Sequence, residues 1–329
     1  MTNQDISDIN KPGLKVIYLA GGCFWGMEKL MQSILGVVRT MPGYANGTVA
    51  ENPTYPAVCT GVTGFKETVR VEYDPERISL DALLFDFFRA IDPSVRNRQG
   101  HDVGSQYQTG IYYTDEASKQ AVARIAGIEA ERAKNFAVEI KPLENFYDAE
   151  EYHQKYLDKN PGGYCHIPTE EIDRLSKMII DPGKYPRPAK ESITKQLTDT
   201  QYHITREAGT ETPFKNEFWD HFARGIYVDI VTGEPLFSSR DKYRCSCGWP
   251  GFSAPIDENV LVYIEDRSHG MNRTEVRSRA GNSHLGHVFY HDPESPTATR
   301  YCINSGALRF IPVTEIEKEG YGYLTPYVD

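Results

Sequence analysis

The chain has 329 residues, enough for two domains of ordinary size, and its 40% hydrophobic and 25% charged residues are those of a globular protein. A formal charge of −10 argues against nucleic-acid binding, which needs clustered Lys and Arg. No apolar run is long enough to cross a bilayer, and residues 1–15 lack the apolar stretch of a signal peptide, so a cytoplasmic location without membrane attachment is expected.

Residues 14–20 are a short apolar run bounded by glycines, which predicts a buried strand, and residues 26–35 follow as a helix. Val69, Val71 and Tyr73 alternate with Arg70 and Glu72, the period of a strand. Ser79 is placed to cap a helix whose Leu80, Leu83, Leu84, Phe87, Phe88 and Ile91 recur at helical spacing, ending at Pro93. A strand at 107–113, a long helix at 116–134 and a strand at 136–140 complete a β-α-β-β-α-β, ferredoxin-like order. This predicts an α+β N-terminal domain: a mixed sheet with packed helices.

Residues 181–188 hold three prolines and a glycine, which reads as a semi-rigid linker. Beyond it, residues 225–230, 260–265, 287–290 and 308–312 are short strand-like pieces separated by Gly, Pro, Asn and Asp. Helical patterning is confined to residues 191–206 and 215–222. A mainly β C-terminal domain follows. The expected limits are 1–180 for the first domain, 181–196 for the Pro-rich linker and 197–329 for the second.

In a reducing cytoplasm structural disulfides are rare, so the six cysteines read as reactive, metal-binding or buried. Cys23 lies in Gly21-Gly-Cys-Phe-Trp-Gly26, between the first strand and first helix. A helix N-terminus favours thiolate over thiol. Phe24 and Trp25 put aromatic surface beside it, suited to a small apolar group. Glu67 shares a strand face with Val69, Val71 and Tyr73. Burial there would raise its pKa towards that of a proton donor, whereas a frayed strand end would leave it in water.

Here the residues become specific. GGCFWG, NPTY with a following Cys, ETVRVEYDP, GSQYQTGIYY and EEYHQKYLDKNPGGYCH, from residue 14 to 168, resemble the A-type methionine sulfoxide reductases. The resemblance implies Cys23 as nucleophile on the sulfoxide sulfur and Glu67 as acid. It implies Tyr55 and Tyr107 on the sulfoxide oxygen, with Asp102 supporting them, and Phe24 and Trp25 around the methyl group. Cys165, in a loop whose thiol can swing, matches the resolving cysteine of the motif GYC. With no further cysteine before the linker, the relay stops at one disulfide, Cys23–Cys165. Cys59 is read as a buried small hydrophobe.

GTETPFKNEFWDHF, IYVDIVTGEPLF, CGWPGF, SRAGNSHLGHVF and RYCINSGALRF, from residue 197 to 312, resemble the B-type methionine sulfoxide reductases. This implies Cys302 as nucleophile, Cys247 as resolving cysteine, and His284, His287 and Asn304 binding and protonating the oxygen. Arg300 would lower the thiol pKa and Trp249 would line the methyl pocket. Arg300 and Cys302 face one way if the segment is extended, and a nearby cation stabilises a thiolate. Cys245 departs from the family pattern and is either inert or a competing resolver. A zinc centre on Cys245, Cys247, His284 and His287 is the alternative. Zinc-carrying B-type members have two Cys-x-x-Cys pairs, at positions occupied here by Asp229, Thr232, Ala280 and Ser283, so no metal is expected.

The resemblance implies reduction of the S epimer by the first domain and the R epimer by the second. No flavin or nicotinamide site is apparent, and no cofactor is expected; a thioredoxin-like dithiol would supply electrons. A Cys-His hydrolase and a non-catalytic second domain are the rival classes.

Overall fold

The computed structural model describes residues 13–48 and 52–328; the polar segment 1–12 lies outside the described residues. Residues up to 177 and from 178 onward form two compact units.

The first unit contains β1 (Lys15–Ala20), α1 (Phe24–Ser33), β2 (Val37–Ala45), α2 (Tyr55–Cys59), β3 (Lys66–Tyr73) and α3 (Leu80–Ala90). There follow β4 (Arg98–Gln99), β5 (Asp102–Val103), β6 (Gly110–Tyr113), α4 (Glu116–Arg132), β7 (Glu139–Pro142), β8 (Phe146–Asp148), α5 (Tyr156–Lys159) and α6 (Thr169–Leu175). A six-stranded mixed sheet runs β7-β6-β1-β3-β2-β8, with only β6 and β7 parallel. Its inner order β6-β1-β3-β2, with α1 and α3 as crossovers, is a β-α-β-β-α-β unit, built with β2 in place of the strand at 136–140 that the sequence reading used to complete it.

Ile17 and Leu19 of β1 oppose Val71 and Val69 of β3, and all four are fully buried. Ser79 caps α3 by accepting the Ala82 N–H at 3.1 Å. Leu83, Leu84 and Phe87 beneath it are fully buried, each contributing about 1.5–3 kcal/mol.

Three details depart from the sequence reading. β2 was not expected, because Pro42-Gly43 breaks the apparent run. The strand expected at 107–113 begins only at Gly110, and Tyr107 closes a 3-10 turn, Ser105–Tyr107. There the Gln108 side chain bonds the backbone of Asn97 and Ala137, holding the chain out of the ladder. The strand expected at 136–140 is β7, starting at Glu139.

The second unit opens with a 3-10 turn, Pro182–Lys184, then α7 (Lys190–Gln196) and α8 (Asp199–Glu207). The helical pattern at 191–206 is thus two helices, parted where Thr198 forms a capping box with Gln201. Strands β9 (Gly225–Asp229), β10 (Pro235–Ser238), β11 (Lys242–Tyr243), β12 (Gly251–Phe252) and β13 (Leu261–Asp266) follow. The last are β14 (Arg273–Ser278), β15 (His284–Tyr290), β16 (Thr299–Ile303) and β17 (Leu308–Pro312).

They form two antiparallel sheets, β10-β9-β17 and β11-β12-β16-β15-β14-β13, which share one apolar core. Ile180 and Tyr185 belong to that core. The helix expected at 215–222 is absent. Phe214 has φ 60°, the Asn216 amide donates to the Gly248 carbonyl, and Phe218 N–H donates to Ser305, so turns replace the helix. Among the described residues no helix is long and apolar enough to cross a membrane.

Candidate active sites

Cys23 occupies the N-cap position of α1 and is 6% exposed. Burial, then the neighbouring Glu67 carboxylate, push its thiol up, against bonds from the Trp25 and Gly26 N–H groups. The helix terminus is therefore present but outweighed by desolvation. Glu67 is fixed on β3 opposite Tyr44 of β2 and is 1% exposed. Its Oε2 accepts the Phe24 N–H at 3.1 Å, while Oε1 has no hydrogen-bond partner among the described residues. Burial raises its pKa to about 8, more than the Phe24 N–H lowers it. The frayed-end alternative does not apply.

Tyr55 and Tyr107 lie within hydrogen-bonding reach of each other and feel the Glu67 carboxylate; burial raises both phenols. Asp102 carries its charge to Cys23, Glu67 and Tyr107, and accepts the Tyr164 hydroxyl at 3.1 Å. Phe24 and Trp25 form an aromatic wall. Trp25 stacks on Tyr156 at 3.8 Å and donates to His153 Nδ1 at 3.1 Å, and Phe24 lies 4.9 Å from the His153 ring.

Cys165 reaches this corner through Gly26. A Cβ on Gly26 would stand 2.9 Å from His166 Nδ1 and 3.1 Å from Cys165 Sγ. The bare glycine lets the coil carrying Cys165 lie on the first turn that Cys23 caps. Cys59 corrects the sequence reading: it is exposed, because only Val58 of the short α2 is buried.

In the second unit Cys302 sits on β16, opposite His287 of β15 on one side and Gly251 of β12 on the other. A cavity of about 120 Å³ beside it is lined by Trp249, His287, Cys302, Asn304, Thr210 and Arg273, among others. Burial pushes the thiol up to about 11, and the Arg300 guanidinium pulls against it. Arg300 is itself held by Asp292 at 2.5 Å and lies over the Phe289 ring at 4.6 Å.

His284 and His287 are three apart, so a regular strand would place them on opposite faces. A register shift between β14 and β15, where Gly286 presses on the Cys302 carbonyl, brings their rings to 5.7 Å. His284 Nδ1 meets Glu275 at 2.6 Å and His287 Nε2 meets Asp266 at 2.8 Å. His284 does not line the cavity but stands behind it, with Nε2 buried and without a partner among the described residues. Burial lowers the His287 pKa, partly offset by Asp266. Asn304 spends Oδ1 on the Glu211 N–H and one amide hydrogen on the Leu285 carbonyl.

Cys247 Sγ lies 3.9 Å from Cys302 Sγ, and Cys247 is paired with Cys245 in a disulfide. Asp229, at one of the family's zinc positions, accepts from Ser278 at 2.5 Å, Ser283 at 3.1 Å and Val231 N–H at 2.8 Å. Thr232 accepts the Glu234 N–H, and Ala280 donates its N–H to Glu234. The Asp229 oxygens are already spent on these bonds, and the hydroxyl and methyl side chains of Thr232, Ser283 and Ala280 are not zinc ligands. Among the described residues no group of three or more His, Cys, Asp or Glu is placed to hold a metal.

Residues 15–180 match the family described as Peptide methionine sulfoxide reductase, and residues 197–312 match the SelR domain. The chain belongs to the methionine sulfoxide reductases. It joins an A-type and a B-type domain, and both are oxidoreductases that reduce methionine sulfoxide with thiols. Among solved structures it is similar to reduced Mxr1 of Saccharomyces cerevisiae: 41% identity over 47% of this chain and 91% of that one, TM-score 0.45. It is 38% identical to methionine sulfoxide reductase A of Corynebacterium diphtheriae, over 48% and 85% of the two chains, TM-score 0.44. To yeast Mxr1 in complex with Trx2 the identity is 31%, over 44% and 87%, TM-score 0.32.

Residues that sequence reasoning missed pack around the Cys23 and Cys302 positions. Glu150 accepts the Tyr44 hydroxyl at 2.7 Å and the Tyr55 N–H at 2.8 Å, and His153 packs against Phe24, Trp25 and Tyr55. Both lie in the quoted EEYHQKYL motif, whose polar letters were the available signal. In the B-type domain Asp266, Arg273 and Glu275 order the histidines. For Arg273 and Glu275 the signal was the charge alternation of β14, which the sequence reading passed over; Asp266 closes β13.

Proposed function

We propose that the N-terminal site reduces the S epimer and the C-terminal site the R epimer of methionine sulfoxide, free or in oxidised proteins. That each epimer has its own reductase is general knowledge of these sulfoxides; which domain takes which follows the family resemblance. At each site a thiolate attacks the sulfoxide sulfur while the oxygen is protonated. Methionine leaves with two more electrons, and the nucleophile is left as a sulfenic acid. A second thiol expels the hydroxyl as water and forms a disulfide, which an external dithiol reduces.

The observation that carries the first site is Glu67: buried, pKa about 8, with Oε1 unspent beside the nucleophile. A carboxyl protonated at neutral pH is a proton donor, and once it gives up its proton the oxygen atom of the sulfoxide is no longer a poor leaving group. Tyr55 and Tyr107 bind that oxygen, Asp102 orients them, and Phe24 with Trp25 receives the methyl group. Cys165 resolves Cys23. At the second site Cys302 attacks, Arg300 stabilises its thiolate, and His287 with His284 and Asn304 handles the oxygen. Trp249 lines the methyl side and Cys247 resolves.

The A-type domain is assigned to residues 1–180 and the B-type domain to 197–329, and the residues between them, 181–196, serve as an N-terminal extension of the second unit, in whose core Tyr185 is buried. Neither uses a cofactor or zinc, a reading supported by the unsuitable donors at Asp229, Thr232, Ala280 and Ser283. The disulfide product calls for a thioredoxin-like dithiol, as supplied in a reducing cytoplasm.

The test is reduction of separated epimers by two variants of the full chain. Cys302→Ser abolishes R reduction and spares S, and Cys23→Ser does the reverse. Unchanged R turnover in Cys302→Ser overturns the second assignment, and unchanged S turnover in Cys23→Ser overturns the first.

A further inference from the structure

Three sulfurs of the second domain stand in line rather than two. Cys247 Sγ is 3.9 Å from Cys302 Sγ and is bonded to Cys245, whose Cα is 5.4 Å from its own. That Cα separation lies within the ordinary disulfide range. Cys245 and Cys247 both point at the Trp249 carbonyl, at 3.6 and 3.4 Å. Cys245 Sγ packs over Gly251, the residue paired with Cys302 across β12 and β16. Cys247 therefore touches both neighbours and is the middle member. The segment carrying the pair faces water: Arg244 and Ser246, on either side of Cys245, are exposed. Ser246 is tied through its N–H and hydroxyl to Glu294 at 2.9 and 3.1 Å, which fixes the turn between the two cysteines.

We propose that Cys245 is a third redox-active cysteine, which takes the disulfide from Cys302 and presents it to the reductant as Cys245–Cys247. The proposal rests on the assignment of Cys302 and Cys247 above. First, the Cys247 thiol attacks the Cys302 sulfenic acid; a Cys302–Cys247 bond forms and water leaves. Next, the Cys245 thiolate attacks the Cys247 sulfur. The Cys245–Cys247 bond forms, the Cys302–Cys247 bond breaks, and the electron pair departs on Cys302, which regains the proton that Cys245 gave up. No electrons are gained or lost in this exchange; the oxidation moves one sulfur outward. The Arg300 guanidinium beside Cys302 stabilises the leaving thiolate, and a better leaving thiolate is expelled faster. Last, an external dithiol reduces Cys245–Cys247 and becomes a disulfide itself.

The relay frees Cys302 for the next sulfoxide before the reductant arrives. It also separates the substrate cavity from the point of electron entry, so a bulky protein substrate and a protein reductant need not share one surface.

The test uses the full chain carrying Cys23→Ser, so that only the second site reacts, treated with one equivalent of R-methionine sulfoxide per chain and no reductant. Methionine released is counted, free thiols are alkylated, and the disulfide is mapped by peptide mass spectrometry. The expected result is one methionine per chain and a Cys245–Cys247 disulfide with Cys302 alkylated. Adding Cys245→Ser should stop the sequence one step later than sulfoxide attack: methionine is still released, the Cys302–Cys247 disulfide accumulates, and thioredoxin-driven recycling slows about tenfold or more. A Cys302–Cys247 disulfide as the final product of the Cys23→Ser chain overturns the relay while leaving the Cys302 assignment intact. No methionine release overturns both.

Discussion

Glu67 holds the start of the helix that Cys23 caps: one carboxylate oxygen accepts the Phe24 N–H at 3.1 Å and the other has no partner among the described residues. Its folded-state pKa is raised to about 8 by burial, from the ordinary 4.5. Between those values the unfolded chain ionises this group and the folded chain does not, so folding stability falls as pH rises from about 4.5 to 8. Glu67→Gln keeps an oxygen for the Phe24 N–H and removes the titration. It should raise the Tm of the first domain at pH 8 and leave it unchanged below pH 4. The same variant should slow single-turnover S-epimer reduction by about 100-fold or more, the ordinary worth of a general acid. A first step unaffected by Glu67→Gln would falsify the acid role. In the native chain that step should weaken as pH rises through about 8.

Gly26 separates attack from resolution. The atoms that a methyl group at this position would meet first belong to His166 and Cys165. Gly26→Ala should therefore displace the resolving coil, with methionine still released once per chain and the Cys23–Cys165 disulfide forming about tenfold more slowly. Rapid-quench measurement of methionine and free thiols on one sample distinguishes the two steps. Equal slowing of both would mean that Gly26 serves the helix start and not the coil.

What the sequence made legible was what it stores locally. Cys23 and Cys302 lie in short strings whose neighbours shape them, and Glu67 was visible because a strand alternates faces. The ends of α3 were legible from Ser79 and Pro93. Partners from distant segments were not. His153 receives the Trp25 indole N–H across 128 residues, and nothing near either residue announces it. The pairing of His284 and His287 on one side depends on a register shift against β14, which no single strand encodes. β2 was hidden because its Pro42 and Gly43 are read as breakers, yet in the sheet the Pro42 carbonyl still accepts from Ala149. Cys59 was misread because burial follows the packing of α2, and residue type does not set it.

Arg300 is the counterweight to burial at Cys302. The thiol is pushed up to about 11 although the guanidinium favours its ionised form. Arg300→Met removes that help and keeps most of the packing on Phe289. Less thiolate at neutral pH follows, and the pH at which iodoacetamide alkylation of Cys302 reaches half its maximum should move up by about one unit. R-epimer attack should slow about tenfold at pH 7.5, with S-epimer reduction unchanged. An alkylation profile that does not move would remove Arg300 from the thiolate's support.

Asp229 clasps two segments of the second domain with hydrogen bonds. Its carboxylate is 1% exposed and collects the hydroxyls of Ser278 and Ser283 and the N–H of Val231, joining β9 to the turn between β14 and β15. Asp229→Ala removes the shared acceptor of these buried donors, at about 1–3 kcal/mol each, so the second domain should lose about 3 kcal/mol or more of stability. Thermal unfolding of the full chain, followed by loss of R-epimer activity, reads that change, while S-epimer activity persists to its usual temperature. In the unaltered chain a strong zinc chelator should leave the same unfolding temperature unmoved, because Ala280 and Thr232 offer no thiolate. A fall in that temperature on chelation would show that a metal contributes to the fold and that the Asp229 clasp is not its replacement.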